Sequence, residues 1–432
     1  MNERSSVCLL NDSFPPLIDG VANAVVSYAK WLPEQDFDPV VITPAYPGAD
    51  DSSLSYPVIR YPSIDLRSWM GYLAGIPFSP EIVRQLEGRT VSLLHTHCPI
   101  ASTLLARQLR AVMDVPLVLT YHTKFDIDIA SILRSKALQA GSKRALVENI
   151  NACDEVWTVS QGAGENLRSM GYQGDYVVMP NGVDMPRGRV SDEACQAVCE
   201  DYDLPDHVPV FLFVGRIRWY KGLKIILDAL GMLKAAGKDF RMVFIGDGTD
   251  RPEVERTAEE MGLSSVCFFT GAISDRETIR AWYCRGDLFL FPSTFDTNGL
   301  VVREAAACSL ASVLVRGSCA AEGVTHGRNG FLIDENAASL YALLEKLMDR
   351  KEQMRQVGIT AGDDLYLSWA DAVKLAAARY EIVIDGYRSG KYSHANHPMD
   401  HVLSHSGELM EDLAKAQDHL REIESHMHSR FQ

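Results

Sequence analysis

Short apolar runs alternate with amphipathic helical patterns along the chain, and this alternation constrains the fold more than any other feature. In the first half, the runs predicted to be strands are Val7–Leu10, Pro39–Ile42, Val91–His95, Leu117–Thr120, Val156–Val159 and Tyr176–Met179. In the second half they are Phe211–Val214, Met242–Ile245, Val266–Thr270, Leu288–Phe291 and Val313–Val315. Strands that alternate with helices indicate parallel sheets covered on both faces. The sequence therefore predicts an α/β protein with two doubly wound units in succession.

Prolines at positions 180, 186 and 205, together with a polar helical stretch, mark residues 180–206 as the region between the two units. We therefore expect an N-terminal domain over residues 1–185 and a C-terminal domain over residues 186–368. The pattern of Trp369–Tyr387 predicts one helix. We expect this helix to lie in a segment, residues 369–390, that returns toward the N-terminal domain.

Residues 391–432 are predicted to form an amphipathic helical tail. Its apolar stripe has a 4-3-4-3-4 spacing and consists of Leu409, Leu413, Ala416, Leu420, Ile423 and Met427. Such a stripe fits docking on the body of the protein, a short homo-oligomer seam, or membrane contact. The stripe spans few heptads, so the spacing alone does not choose among these uses.

The composition excludes several classes of protein. Hydrophobic residues make up 47% of the chain and charged residues 23%, which is the balance of a globular protein. The net charge of −15 disfavours a nucleic-acid partner, because phosphate neutralisation needs a basic face. Nine cysteines without Cys-x-x-Cys spacing indicate reduced thiols. No apolar run is long enough for a spanning helix or a signal peptide, so we expect a cytoplasmic protein.

A strand–turn–helix segment at Phe213–Gly222 carries chemistry suited to a diphosphate. Gly215 opens the turn, and Arg216 and Lys221 flank the start of the following helix. Backbone amides at a helix N-terminus favour an anion, and the two cations add a forked donor and a point charge. The same segment is also explained as an ordinary turn with solvated cations.

A second segment places two carboxylates eight residues apart. Asp296 precedes a predicted helix, Glu304 lies within it, and Gly299 between them permits close approach to the backbone amides. Carboxylates accept hydrogen bonds from hydroxyls, so the pair suits ribose and sugar. The alternative is that Asp296 caps the helix and Glu304 is a solvated helix residue.

These two segments, in this order, resemble the retaining glycosyltransferases of family 4. Further stretches fit the resemblance: Asp12–Val21, Thr120–Thr123, Pro180–Asp184, Gly246–Gly248 and Phe269–Gly271. The resemblance extends over roughly residues 5–385. It implies the GT-B fold, with two Rossmann-like domains facing across a cleft. It also implies a nucleotide-sugar substrate, no other cofactor and no essential metal.

The resemblance further implies roles in donor binding. Arg216 and Lys221, with Gly215 at the turn, would hold the diphosphate, and Glu304 would bind the ribose hydroxyls. The transferred sugar would be held by Asp296 and by the amides of Asn298, Gly299 and Leu300. The family usually has Glu at the position of Asp296 and often Phe at that of Asn298, so we expect these differences to bear on sugar preference.

For the first domain, the resemblance implies that His122 approaches the C6 hydroxyl of the sugar near the reaction centre. Gly20 would let its loop reach the phosphates or the acceptor. His122 is also explained as an ordinary hydrogen-bonded loop residue. His95 and His97 are expected to face opposite sides of a strand end, so we predict no two-histidine metal site.

The sequence indicates the acceptor less clearly than it indicates the donor. Residues 66–78 are apolar and aromatic and include Trp69 and Tyr72. They fit a loop that receives an acyl chain or enters a bilayer interface, and equally a loop covered by its own domain.

Residues 120–126, with Lys124, Phe125 and Asp126, resemble bacterial diacylglycerol glucosyltransferases, as does Gly317–Val324. This closer resemblance implies UDP-glucose as donor, 1,2-diacylglycerol as acceptor, and a peripheral enzyme on the inner face of the membrane. A soluble or polyprenyl-linked acceptor and a non-catalytic sugar-nucleotide-binding protein are the alternatives.

Overall fold

The computed structural model describes residues 4–17, 19–65, 73–392, 402–413 and 415, apart from the side chains of residues 128 and 131. The chain divides into two compact units: unit 1 is Met1–Pro180 with Trp369–Gln432, and unit 2 is Asn181–Ser368. The division after Pro180 lies earlier than the expected boundary at 185. Val183 N–H donates to Leu367 O at 2.9 Å and Met185 is buried in the core of unit 2, which ties these residues to that unit.

Unit 1 is built on a parallel sheet of order β3-β2-β1-β6-β7-β8-β9. Its strands are β1 (Ser5–Leu10), β2 (Phe37–Pro44), β3 (Val58–Tyr61), β6 (Val91–Thr96), β7 (Leu117–Tyr121), β8 (Glu155–Thr158) and β9 (Val177–Val178). A separate antiparallel pair consists of β4 (Ser63–Asp65) and β5 (Leu73–Gly75). The strand order reverses between β1 and β6, and ligands of doubly wound sheets bind beside such a switch point.

Helices follow the strands of unit 1. They are α1 (Gly20–Trp31), α2 (Pro80–Leu86), α3 (Ala101–Met113), α4 (Phe125–Ile132), α5 (Lys136–Asn151) and α6 (Gln161–Ser169). Asp19 caps α1, because its Oδ1 accepts from the amides of Val21 at 2.8 Å and Ala22 at 2.7 Å.

Unit 2 repeats the plan with a parallel sheet of order β12-β11-β10-β13-β14-β15. Its strands are β10 (Val210–Val214), β11 (Arg241–Ile245), β12 (Cys267–Gly271), β13 (Leu288–Phe291), β14 (Ser312–Val315) and β15 (Phe331–Ile333). Its helices are α7 (Asp192–Ala197), α8 (Leu223–Ala235), α9 (Arg251–Glu260), α10 (Arg276–Arg285), α11 (Leu300–Ala307), α12 (Ala337–Leu347) and α13 (Lys351–Asp364). Every residue of β10 is buried, as expected for a central strand covered on both faces.

The predicted strands are confirmed, with ends that shift by a few residues. The edge strands β3 and β15 and the pair β4–β5 were not predicted, because their short runs carry little periodicity. The helix predicted at Trp369–Tyr387 is confirmed as α14 (Trp369–Arg388). It packs on unit 1, where Tyr380 stacks on Trp157 at 5.4 Å between ring centroids.

The described part of the tail, residues 402–413, forms a helix, α15, that docks on unit 1 through a face different from the predicted stripe. Leu403 and Met410 are buried, whereas Leu409 is 52% exposed and Leu413 41%. Gly407 makes the docking possible, because a Cβ there would lie 2.8 Å from Gln108 O. The rest of the stripe, Ala416, Leu420, Ile423 and Met427, lies outside the described residues. No helix among the described residues has both the length and the hydropathy to span a bilayer.

Candidate active site

Two glycine turns meet at the carboxyl ends of β10 and β11. Gly215 has φ +147° and Gly246 has φ +139°. A Cβ on Gly246 would lie 1.9 Å from the Gly215 carbonyl oxygen, so only glycine permits this approach of the two loops. The two loops therefore pack directly against each other at this edge of the sheet.

Lys221 and Asp296 form an ion pair that joins the two segments singled out from the sequence. The Lys221 side chain is nearly buried, with Nζ 5.6 Å from the centre of the Phe291 ring. Asp296 also accepts a hydrogen bond from Ser293 Oγ at 2.6 Å. A nearly buried ammonium is thus held at a loop end by a carboxylate that is itself fixed, which excludes a freely solvated lysine.

The two arginines of the first segment differ. Arg216 is exposed and makes no hydrogen bond or ion pair with the residues that the structure describes. Arg218 lies 3.4 Å from Asp250 Oδ2, and Asp250 also accepts from the Trp219 amide at 2.9 Å. Arg216 is therefore available to an incoming anion, whereas Arg218 is engaged in holding the loop.

The start of α11 presents amides beside Asp296. Gly299 has φ +61° and serves as the N-cap, so Asp296 does not cap this helix. A Cβ at Gly299 would lie 2.9 Å from the Ala320 side chain, which explains the glycine. Asn298 Nδ2 is buried without a hydrogen-bond partner among the described residues, and the Leu300 amide belongs to the first turn. Among the described residues, this helix end thus combines the unpartnered Asn298 amide with the backbone amides of a first helical turn.

Glu304 is held by two residues of the neighbouring helix α10. Arg276 Nη1 donates to Oε1 at 3.1 Å, and Tyr283 Oη donates to Oε2 at 3.1 Å. Burial raises the pKa of Glu304, while the Arg276 charge and the Tyr283 hydrogen bond act against that rise. Its side chain is only 12% exposed, so Glu304 is not the solvated helix residue of the alternative interpretation.

In unit 1, His122 lies directly after β7 and is nearly buried. Its Nε2 is 2.9 Å from Nδ1 of His97. Burial lowers the pKa of His122 to about 3, so the imidazole is neutral at physiological pH. No charged residue accounts for the shift, which distinguishes this group from the ionic pairs of unit 2.

The expectation that His95 and His97 face opposite sides of the strand is wrong. Their ring centroids are 4.0 Å apart. Residues two apart in an extended chain lie on the same side, so the spacing required the opposite conclusion. Even so, no group of three or more His, Cys, Asp or Glu residues within the described ranges is arranged to hold a metal ion.

The other residues singled out in unit 1 differ in their surroundings. Gly20 is the first residue of α1, and a Cβ there would meet no atom within 4 Å. Phe125 packs against Tyr121 with ring centroids 5.9 Å apart, and Asp126 Oδ1 accepts from Asn166 Nδ2 at 3.0 Å. Lys124 immediately precedes α4. Trp69 and Tyr72 lie outside the described residues.

The sequence did not predict four residues that hydrogen-bond to candidate site residues. They are Ser293, Arg276, Tyr283 and His97, the last as a partner of His122. Ser293 could have been found from its position three residues before Asp296. Arg276 and Tyr283 contact Glu304 from another helix, and no local sequence pattern predicts such a contact. His97 could have been found from the two-residue period of strands.

Comparison with known proteins matches both halves of the chain. Residues 199–363 match the family model described as glycosyl transferases group 1, and residues 18–187 match the model described as glycosyltransferase family 4. The alpha-monoglucosyldiacylglycerol synthase of Acholeplasma laidlawii is 24% identical over 339 residues, which cover 76% of this chain and 84% of that protein.

Two further proteins resemble the chain. A GDP-mannose-dependent alpha-mannosyltransferase of Corynebacterium glutamicum is 26% identical over 341 residues, which cover 76% of this chain and 76% of that protein. The Anabaena protein HepE, solved in complex with UDP, has a TM-score of 0.71 at 19% identity and covers 87% of this chain and 100% of that one. With the two doubly wound sheets, this likeness confirms the predicted class, GT-B with Rossmann-like domains.

Proposed function

Since the chain belongs to glycosyltransferase family 4, we propose that it transfers glucose from UDP-glucose to a 1,2-diacylglycerol, with retention of the anomeric configuration. The observation that carries the proposal is the Lys221–Asp296 pair beside the start of α11, with Glu304 held by Arg276. It combines a cation for a phosphate with carboxylates for hydroxyls. HepE is described in complex with UDP, which supports the choice of nucleotide.

The donor diphosphate would lie against Arg216 and Lys221. Arg216 is exposed and has no partner among the described residues, so it can fork onto a phosphate without first breaking an ion pair. Lys221 would turn part of its hydrogen-bonding capacity from Asp296 to the phosphate. An ammonium has three donors, so both contacts are compatible.

The carboxylates and amides of unit 2 would bind the sugar and the ribose through hydrogen bonds. Asp296 is fixed by Ser293 and Lys221, so its remaining lone pairs can accept from sugar hydroxyls. Glu304 would accept from ribose hydroxyls. Asn298 Nδ2, buried without a partner among the described residues, offers a donor near the sugar where the family often has an apolar ring.

Bond cleavage between the anomeric carbon and the phosphate oxygen leaves negative charge on the diphosphate. Arg216, Lys221 and the amides at the start of α11 would stabilise this charge as it develops. Binding donor and acceptor together removes much of the entropic cost of their encounter. In the retaining course that we propose, the departing phosphate oxygen accepts the proton of the attacking hydroxyl on the same face of the sugar.

A lipid acceptor requires contact with a membrane surface, and one surface of unit 1 suits this. The α4–α5 surface consists of exposed Ile132, Arg134, Lys136, Leu138 and Arg144. Ile132 is 45% exposed and Leu138 60%, and the three exposed cations belong to the same stretch of the chain. Because the net charge is −15, overall attraction to anionic lipid is absent, and local contact of this kind is needed. The relative from Acholeplasma laidlawii, named for a glycolipid product, supports the acceptor class. We place the protein in the cytoplasm, at the inner face of the membrane.

The test is UDP release from UDP-glucose, measured with and without mixed micelles of dioleoylglycerol. Release that depends on the lipid is the expected result. Release that is slow and indifferent to lipid would instead assign a soluble or polyprenyl-linked acceptor. Release only from GDP-mannose would overturn the donor, in line with the mannosyltransferase relative. No release from any nucleotide sugar would favour a binding protein.

A further inference from the structure

His97 has no role in the function proposed above, yet it is a hydrogen-bond partner of His122. It follows β6, is 1% exposed, and places Nδ1 2.9 Å from His122 Nε2. The ring planes are inclined by 29° and the centroids are 5.2 Å apart, so the two rings meet edge to edge through these nitrogens. Burial lowers the pKa of both imidazoles, well below the usual range for His97, so both are neutral.

Two neutral imidazoles that share one hydrogen bond have linked tautomers. Each ring has a single N–H, and the contact between the rings uses one N–H and one lone pair. If His97 Nδ1–H donates, the proton of His122 lies on Nδ1. If His122 Nε2–H donates, then His122 Nδ1 carries a lone pair and His97 carries its proton on Nε2.

The surroundings of His97 favour the first arrangement. His97 Nε2 is buried without a hydrogen-bond partner among the described residues. The second arrangement would leave an N–H there, and buried N–H groups without a partner are rarer than buried acceptors without one. The first arrangement leaves only a lone pair at this position.

We propose that His97 is a positioning residue that donates from Nδ1 to His122 and so fixes the His122 tautomer with its proton on Nδ1. His122 then offers a hydrogen-bond donor, not a general base, to the sugar. The role at the sugar rests on the proposed function and on the approach of His122 to the sugar that the family resemblance implies. The tautomer itself rests only on the geometry of unit 1.

His95 provides a matched control, because it is a buried histidine of the same cluster with both ring nitrogens satisfied elsewhere. Its Nδ1 lies 2.5 Å from Tyr380 Oη and its Nε2 lies 2.7 Å from Thr120 Oγ1. It makes no hydrogen bond to His122. A substitution at His95 therefore disturbs the same core without removing the contact to His122.

The experiment uses three variants of the full chain. In His97→Asn, the side-chain amide takes the place of Nδ1 and can still donate, whereas His97→Leu keeps volume only. His95→Asn is the control. We would measure kcat and KM for UDP-glucose, together with the His122 tautomer from long-range proton–nitrogen spectra. We expect His97→Leu to lower kcat roughly 10- to 100-fold with KM within about threefold, and His97→Asn to restore kcat to within about threefold of wild type.

A His122 protonated on Nε2 in the wild-type spectra would overturn the proposal, as would a folded His97→Leu variant with wild-type kcat. A His97→Asn variant as slow as His97→Leu, or an equal loss in His95→Asn, would reduce His97 to a packing residue. If wild type releases no UDP, the proposed function fails, while the spectra still decide the tautomer. If His97→Leu does not fold, the wild-type spectra alone still test the tautomer of His122.

Discussion

The two units hold their candidate residues by opposite means. In unit 2, Lys221 pairs with Asp296, and Glu304 is held by Arg276 and Tyr283. In unit 1, His122 contacts another neutral imidazole inside a buried aromatic cluster, and burial alone lowers its pKa. These candidate residues of unit 2 are thus held by charged partners, and His122 of unit 1 by a neutral one.

This difference matches the two needs of the proposed reaction. The leaving diphosphate gains negative charge, which only cations and aligned amides can offset. In unit 1, a neutral imidazole can donate to a hydroxyl without carrying a charge that would attract an anion. Substitutions in unit 2 should therefore act on turnover and donor affinity, and those in unit 1 should also act through protonation.

The largest effect is expected from removing the buried cation of unit 2. Lys221→Ala should lower kcat by roughly 10²- to 10³-fold, because one electrostatic contact to the leaving phosphate is lost. The measurement is UDP release at saturating donor. Lys224→Ala is the control, since Lys224 is exposed on α8 and pairs only with Asp228 among the described residues. Equal rates in Lys221→Ala and wild type would remove Lys221 from the mechanism.

A smaller loss should follow from neutralising the carboxylate that Arg276 holds. Glu304→Gln keeps the volume but weakens acceptance from ribose hydroxyls, so KM for UDP-glucose should rise roughly tenfold with kcat less affected. The matched control is Glu345→Gln, which alters another glutamate that accepts from a tyrosine, Tyr341, on an exposed helix face. A fall in kcat with unchanged KM would contradict ribose binding.

Acidification should weaken the neutral cluster of unit 1. An unfolded histidine titrates near pH 6.5, whereas burial lowers the pKa of His95, His97 and His122. Below about pH 6.5, the unfolded chain therefore binds protons that the folded chain does not. Each histidine then lowers the free energy of unfolding by up to about 1.4 kcal/mol for every pH unit of acidification.

Urea unfolding at several pH values from 7.5 to 5 checks this cluster. The His97→Asn variant lacks one of these titrations, so its loss of stability on acidification should be shallower than that of wild type. The difference should approach about 1.4 kcal/mol per pH unit well below pH 6.5. Identical slopes would mean that His97 is already charged in the folded protein.

The smallest effect is expected at the α4–α5 surface. The double variant Lys136→Ser/Leu138→Ser should reduce flotation with anionic liposomes about two- to threefold, through lost apolar and ionic contact. Lys374→Ser/Leu375→Ser removes an equally exposed Lys–Leu pair from α14 and should float like wild type. Equal losses in both variants would mean that the contact is not local.

The sequence predicted those parts of the site that are encoded by neighbouring residues. Gly215 lies directly after β10, and Lys221 and Asp296 lie in the segments that follow β10 and β13, where the hydrophobic period and the glycines indicate loops before a helix. The hydrogen bonds that hold Glu304 could not be predicted. Arg276 and Tyr283 lie on another helix, whose sequence pattern indicates only that it is amphipathic. Long-range contacts of this kind depend on packing, not on local spacing.

Two other differences have local causes. In the tail, the 4-3-4-3-4 spacing predicted a stripe that begins with Leu409 and Leu413, whereas Leu403 and Met410 lie on the face that docks, because Gly407 allows close approach there. The expectation for His95 and His97 contradicts the two-residue period of strands, which places both side chains on one face. The order of the strands within each sheet could not be predicted from local patterns, because it depends on how distant segments pair in the folded chain.

The proposed reaction is tested most directly by the configuration of its product. The protein would be incubated with UDP-glucose labelled with ¹³C at the anomeric carbon and with dioleoylglycerol micelles, and the lipid fraction examined by NMR. The account predicts a single α-glucosyl diacylglycerol, with the Lys221→Ala variant producing almost none. A β-linked product, or label that remains in water-soluble sugar, would contradict it.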